Sequence, residues 1–75
     1  MENFVLPERV ALDTVGGTDI STVKLNSAGP GYETCLFYAN GDNDVVARYS
    51  TLAEALENHA RIVSHEQAHL LAEEK

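Results

Sequence analysis

Positive charge is scarce in this chain. Five Lys and Arg stand against twelve Asp and Glu, a net charge of −7 over 75 residues. Nucleic-acid backbones are gripped by Lys and Arg that displace counterions, so this balance excludes a conventional nucleic-acid binder. It equally excludes attraction to an anionic membrane surface. Cysteine is limited to Cys35. No internal disulfide can form, which separates the chain from stapled secreted mini-proteins and leads us to expect a reducing, cytoplasmic setting. No apolar run approaches the roughly 20 residues of a membrane span. The N-terminus carries Glu2 and lacks the basic and apolar regions of a secretory signal. Hydrophobic residues at 44% and charged residues at 23% are ordinary for a folded chain, so wholesale disorder is excluded. The length allows one domain over residues 1–75, with a thin core.

Glycine and proline are few and grouped, and they punctuate the chain. Residues 1–19 form an N-terminal segment that is either a strand or flexible. Phe4, Val5 and Leu6 precede Pro7, which disfavours helix at Leu6. Val10, Leu12 and Val15 alternate with Ala11 and Asp13 in the manner of a short strand, and Gly16-Gly17 ends it. The sheet is expected over residues 20–49. Ile20 to Leu25 reads as a strand, with Val23 and Leu25 on one face and Thr22 and Lys24 on the other. Asn26 to Gly31 is a turn-rich connector. Tyr32 to Ala39 is the strongest strand, rich in aromatics and Thr. It is apolar on both faces around Cys35, Leu36, Phe37 and Tyr38, which suits a strand covered twice. Asn40-Gly41 opens a polar hairpin loop. Val45 to Tyr49 returns, with Val45, Ala47 and Tyr49 expected on one face and Val46 and Arg48 on the other.

The remainder, residues 51–73, reads as one helix. Thr51-Leu52-Ala53-Glu54 fits a capping box. Leu52, Leu56, His59, Val63 and Leu70 form its apolar stripe, flanked by Ala55 and Ile62. Glu66 interrupts the stripe, so the last two turns are expected to run past the sheet edge. The fold class is therefore α+β: a small antiparallel sheet of three strands, or four with the N-terminal segment, packed on one long C-terminal helix.

Several residues suggest chemistry. His65-Glu66-Gln67-Ala68-His69 is a literal H-E-x-x-H, which on a helix lets two His share a zinc ion while Glu polarises its water. A third ligand is missing. Glu73 lies roughly 12 Å along the axis from His65, too far for both to reach one ion. His65 and His69 also fall away from the apolar stripe, so a solvated helix face is expected and zinc hydrolysis is the minor alternative. No cofactor is expected. His59, on the stripe, is expected half-buried and bonded to a backbone carbonyl or a Tyr hydroxyl, with no nucleophile at a recognisable spacing. Cys35 reads as a structural thiol without a cationic neighbour in sequence. Asp42-Asn43-Asp44 lacks the frame and closing Glu of an EF-hand and reads as a plain loop.

Tyr32-Glu33-Thr34-Cys35-Leu36-Phe37, then Arg48-Tyr49-Ser50-Thr51, Glu54-Ala55 and His59, resemble a group of short bacteriophage proteins frequent in actinobacterial phages and prophages. Those proteins share an aromatic-Glu-Thr-Met-Val-Phe strand, an Arg-Tyr-Ser/Thr-Thr turn and a Glu-Ala…Gly-His helix. The likeness spans residues 20–63. It departs at Cys35-Leu36, where Met-Val is usual, and at Asn58, where Gly is usual. It implies a phage or prophage origin and an accessory role, by analogy. The expected function is non-enzymatic: an acidic protein that binds a host or phage protein, an anti-defence inhibitor being one version. Carboxylates can occupy a basic channel by charge complementarity. Glu33, Asp42, Asp44, Glu54 and Glu57, with Tyr38, are the expected partner-binding residues. A self-assembling structural or ligand-sequestering protein is the alternative, and a homodimer is the expected state because open sheet faces tend to be paired.

Overall fold

The computed structural model describes residues 8–25 and 31–73. Four strands follow one another, β1 (Glu8–Val15), β2 (Thr18–Lys24), β3 (Tyr32–Phe37) and β4 (Asn43–Tyr49), and helix α1 (Leu52–Glu73) closes the chain. The strands form one antiparallel sheet in the order β1-β2-β3-β4. The α+β expectation holds, and the N-terminal segment supplies the fourth strand. Phe4 to Pro7 and most of the 26–31 connector lie outside the described residues.

Tight turns fix the registers. Gly16 and Gly17 have φ of 55° and 86°, the signature of a two-residue I′ turn, whose twist matches that of the strands it joins. At the second hairpin Gly41 has φ of 96°, and the Asn40 side chain accepts a 2.9 Å hydrogen bond from the Asp42 N–H. That is an Asx turn, a local mimic of a backbone turn. The helix starts where expected. The Glu54 N–H donates to Thr51 Oγ1 at 3.2 Å, and the Glu54 carboxylate reaches back to the Ser50 N–H at 3.3 Å. Two free backbone donors are thereby satisfied, one residue earlier than the usual reciprocal box.

Directly paired residues share a face of the sheet. The face under α1 carries Ala11 and Asp13 of β1, Ile20 and Thr22 of β2, Thr34 and Leu36 of β3, and Ala47 and Tyr49 of β4. Val45 does not join Ala47 and Tyr49 there. A bulge between the Thr34 and Cys35 pairings inserts Val46 as an extra residue and carries Val45 to the opposite face, beside Cys35. One inserted residue shifts the alternation that strict period-two reading assumes.

The core is small. Ile20, Leu36 and Ala55 are its buried apolar residues, and Thr22, Thr34 and His59 are buried with them. Helix α1 is rotated from the expected stripe. Ala55 and His59 point into the sheet, Ile62, Val63, Glu66 and Leu70 are half-buried, and Leu52 and Leu56 remain exposed. A methyl side chain at Ala55 lets the helix backbone approach closely, and the flanking leucines are held off. The helix keeps contact with the sheet as far as Leu70, at the β1–β2 turn. A Cβ at Gly16 would lie 3.1 Å from both δ carbons of Leu70, so Leu70 seats on the β1–β2 turn. Glycine there meets two demands, a positive φ and space for Leu70.

Gly16→Ala is therefore expected to lose about 1–2 kcal/mol, from a strained φ and a crowded Leu70. Gly41→Ala also carries φ strain but faces open space, and should lose less. Urea denaturation of both variants checks the order, and equal losses would show that Leu70 does not bear on the turn.

Candidate functional site

The only histidine on the buried face of the helix finds partners from two strands. His59 Nε2 lies 2.8 Å from Asp13 Oδ2 on β1, and Nδ1 lies 2.7 Å from Thr22 Oγ1 on β2. Thr22 Oγ1 in turn meets Thr34 Oγ1 on β3. The side chains of Asp13, His59, Thr22 and Thr34 thus form one chain across three strands and the helix. For a neutral ring its proton order follows from chemistry. An ionised carboxylate only accepts, so Nε2 carries the hydrogen given to Asp13. In the neutral ring Nδ1 then accepts from the Thr22 hydroxyl, which accepts from Thr34. Every member is used, which is what makes a buried polar network tolerable.

The order acid, imidazole, hydroxyl is that of an activated nucleophile. The surroundings do not fit that use. Thr22 and Thr34 are both 0% exposed, so no substrate carbonyl can approach Oγ1. Asp13, at the opposite end, is half exposed and meets water. The network is a buried tie between helix and sheet.

His59 is therefore buried, not half-buried, and its partners are two threonines and a carboxylate in place of the expected carbonyl or Tyr hydroxyl. Asp13, Thr22 and Thr34 were not singled out by residue reading. A signal for them exists. Thr22 and Thr34 fall in the same alternation class as Ile20 and Leu36, and a His on an apolar helix stripe requires polar partners.

The H-E-x-x-H residues sit elsewhere. His65 and His69 are exposed and Glu66 is half-buried. His69 and Glu66 line a shallow cleft of about 100 Å³ with Val15, Gly16, Thr18 and Leu70, so the exposed His69 also borders the sheet contact. Among the described residues, no group of three or more His, Cys, Asp and Glu is gathered to hold a metal ion.

The acidic residues expected to bind a partner are distributed. Asp42 and Asp44 lie at the β3–β4 hairpin, where Tyr38 donates to Asp44 at 3.0 Å. That bond, together with the carboxylates of Asp44 and Glu66, raises the Tyr38 pKa. Glu54 and Glu57 lie at the start of α1, beyond the other end of β4, roughly 20 Å away by strand rise. Glu57 pairs with Arg61 at 3.6 Å. Glu33 is on the face away from the helix, bonded to Arg48 at 3.0 Å. The fold does not gather these residues into one patch.

That second face is the larger surface. By register it carries Arg9 and Leu12 of β1, Asp19, Ser21 and Val23 of β2, Glu33, Cys35 and Phe37 of β3, and Val45 and Arg48 of β4. Leu12, Phe37 and Val45 are 47%, 45% and 51% exposed. At its centre Cys35 is half-buried and donates weakly to Glu33 Oε1 at 3.6 Å. Partial burial, then the Glu33 charge and this bond, raise the thiol pKa, against the opposing pull of Arg48.

No family model matches the chain, and no curated protein or solved structure matches it significantly. Among the described residues, no helix is long and apolar enough to cross a membrane.

Two outcomes test this geometry. Removing Thr22 strands both His59 Nδ1 and the Thr34 hydroxyl, whereas removing Thr34 leaves only a lone pair unused. Thr22→Val should then lose about 2–3 kcal/mol and Thr34→Val about 1, by urea denaturation. A harmless Thr22→Val would remove the network from the account of stability. For Cys35, alkylation at pH 8 should be slower than that of an unhindered thiol, because less of it is thiolate. Glu33→Gln removes the charge that raises its pKa, and should speed the reaction.

Proposed function

We propose that this chain is a non-enzymatic binding protein that acts through protein–protein contact on the open face of its sheet. The observation that supports this reading is the exposure of Leu12, Phe37 and Val45 on that face, from β1, β3 and β4, with Ser21 and Cys35 lying between Leu12 and Val45. Helix α1 covers the other face, and the described part of the chain has no second layer. Large apolar side chains gathered in the open on one uncovered sheet face point to an interaction site. The buried hydroxyls argue in the same direction, since the one acid–imidazole–hydroxyl array is closed to substrate.

The resemblance to short phage proteins supports an accessory role in the bacterial cytoplasm, directed at a host or phage protein. Inhibition of a host defence system is one such role. The acidic residues at the two ends of the molecule would then steer encounter, raising the association rate at low salt, while the apolar face holds the partner.

Site-specific photo-crosslinking tests the face. A photoreactive side chain replacing Phe37 should give a discrete adduct in cells of the host. Val45→Lys should abolish that adduct, and the same probe at His65, on the exposed side of α1, should give none. Adducts from His65 alone, or a Phe37 adduct indifferent to Val45→Lys, would overturn the proposal.

A further inference from the structure

We infer that the open sheet face is covered by a second copy of this chain, packed face to face with its strands inverted end to end. The inference rests on the reading of that face as a protein-binding surface, and its occupant is then a second copy in place of a host protein. Three observations carry it.

The first is charge. Two copies of a chain with net charge −7 repel each other at most approaches. The helix presents Glu54, Glu57 and Glu66, and the second hairpin presents Asp42 and Asp44. The open face alone is balanced: Arg9 and Arg48 stand with Glu33 and Asp19. It holds two of the chain's five cations, so it is where two such chains can meet without a like-charge penalty.

The second is the order of those charges. One end of the face carries Arg9, Val23, Glu33 and Arg48, an excess of one positive charge. The other end carries Thr14, Asp19, Phe37 and Asn43, an excess of one negative charge, with Thr14 donating to Asp19 at 2.7 Å. A two-fold axis lying between the sheets and across the strands sets each positive end over the partner's negative end. An axis along the strands would set like over like. Isologous contact thus has one favoured orientation.

The third is size. Four strands about 4.8 Å apart, with some six residues each, give a face of roughly 400 Å² in projection. Closing two such corrugated faces removes on the order of 1,000 Å² in all, the lower bound for a specific interface. Sheets packed face to face sit about 10 Å apart, within reach of Leu12, Phe37 and Val45 from both sides.

Sedimentation equilibrium at low salt, from 1 to 200 µM, tests the inference, with all ranges chosen for the roughly micromolar affinities of small interfaces. The wild-type mass should rise from 8.2 kDa towards twice that value. Val45→Lys, at an exposed site that the fold does not need, should weaken self-association at least about tenfold. Asp19→Lys and Arg9→Asp should each self-associate weakly, and their equimolar mixture should recover the dimer, because the swapped ends are complementary only between the two variants. A wild-type protein that stays monomeric throughout overturns the inference, as does a dimer untouched by Val45→Lys. A mixture that fails to recover overturns the inverted orientation. If the protein is monomeric yet the Phe37 crosslink forms with a different protein, the second copy is wrong and the binding function stands. If no crosslink forms either, both fall.

Discussion

His59 is the constraint around which this small protein is organised. Its two ring nitrogens are satisfied by groups from β1 and β2, and through Thr22 the tie extends to β3. The three strands that it joins must keep their register for the bonds to form. A slip of one residue in β2 would send Thr22 to the other face and leave Nδ1 unpartnered in the core. A core of only three buried apolar residues among those described has little capacity to specify register by packing alone. Directional hydrogen bonds supply that specificity here.

The same tie sets the position of the helix. With His59 anchored and Ala55 against the sheet, α1 is rotated so that its later turns reach the β1–β2 hairpin. Leu70 then closes on Gly16. The helix is committed to one face along its length, and no second element of the described chain is left to cover the other. The open face is thus a consequence of how the helix is held. It combines apolar side chains from three strands with balanced charge, in a chain that is otherwise strongly acidic. That combination suits a partner surface better than a solvated one, and it directs the functional reading towards binding.

A hydroxyl, an imidazole and a carboxylate in hydrogen-bonded order do not by themselves make an active site. Access decides. Where the hydroxyl is sealed and the carboxylate wet, as in Thr22 and Asp13, the array links elements and does no acid–base work on a substrate. The H-E-x-x-H on α1 is the complementary case. Its imidazoles are accessible, but the fold brings no third ligand to them among the described residues.

Much of this was legible in the residues. The strands from Ile20 onwards, the single long helix, its cap at Thr51 and the α+β class all follow from local patterns: alternation, helical periodicity and turn residues at fixed offsets. Local signals were enough because those elements are built from neighbours in sequence. What escaped local reading depends on residues far apart in the chain. The bulge at Val46 reassigned Val45 to the open face, and nothing in a strand's own alternation announces an inserted residue. The helix stripe was centred by the pairing of His59 with Asp13 and Thr22, 46 and 37 positions away. Side-chain hydrogen bonds across such separations are fixed by how the layers dock, and docking is a property of the whole fold.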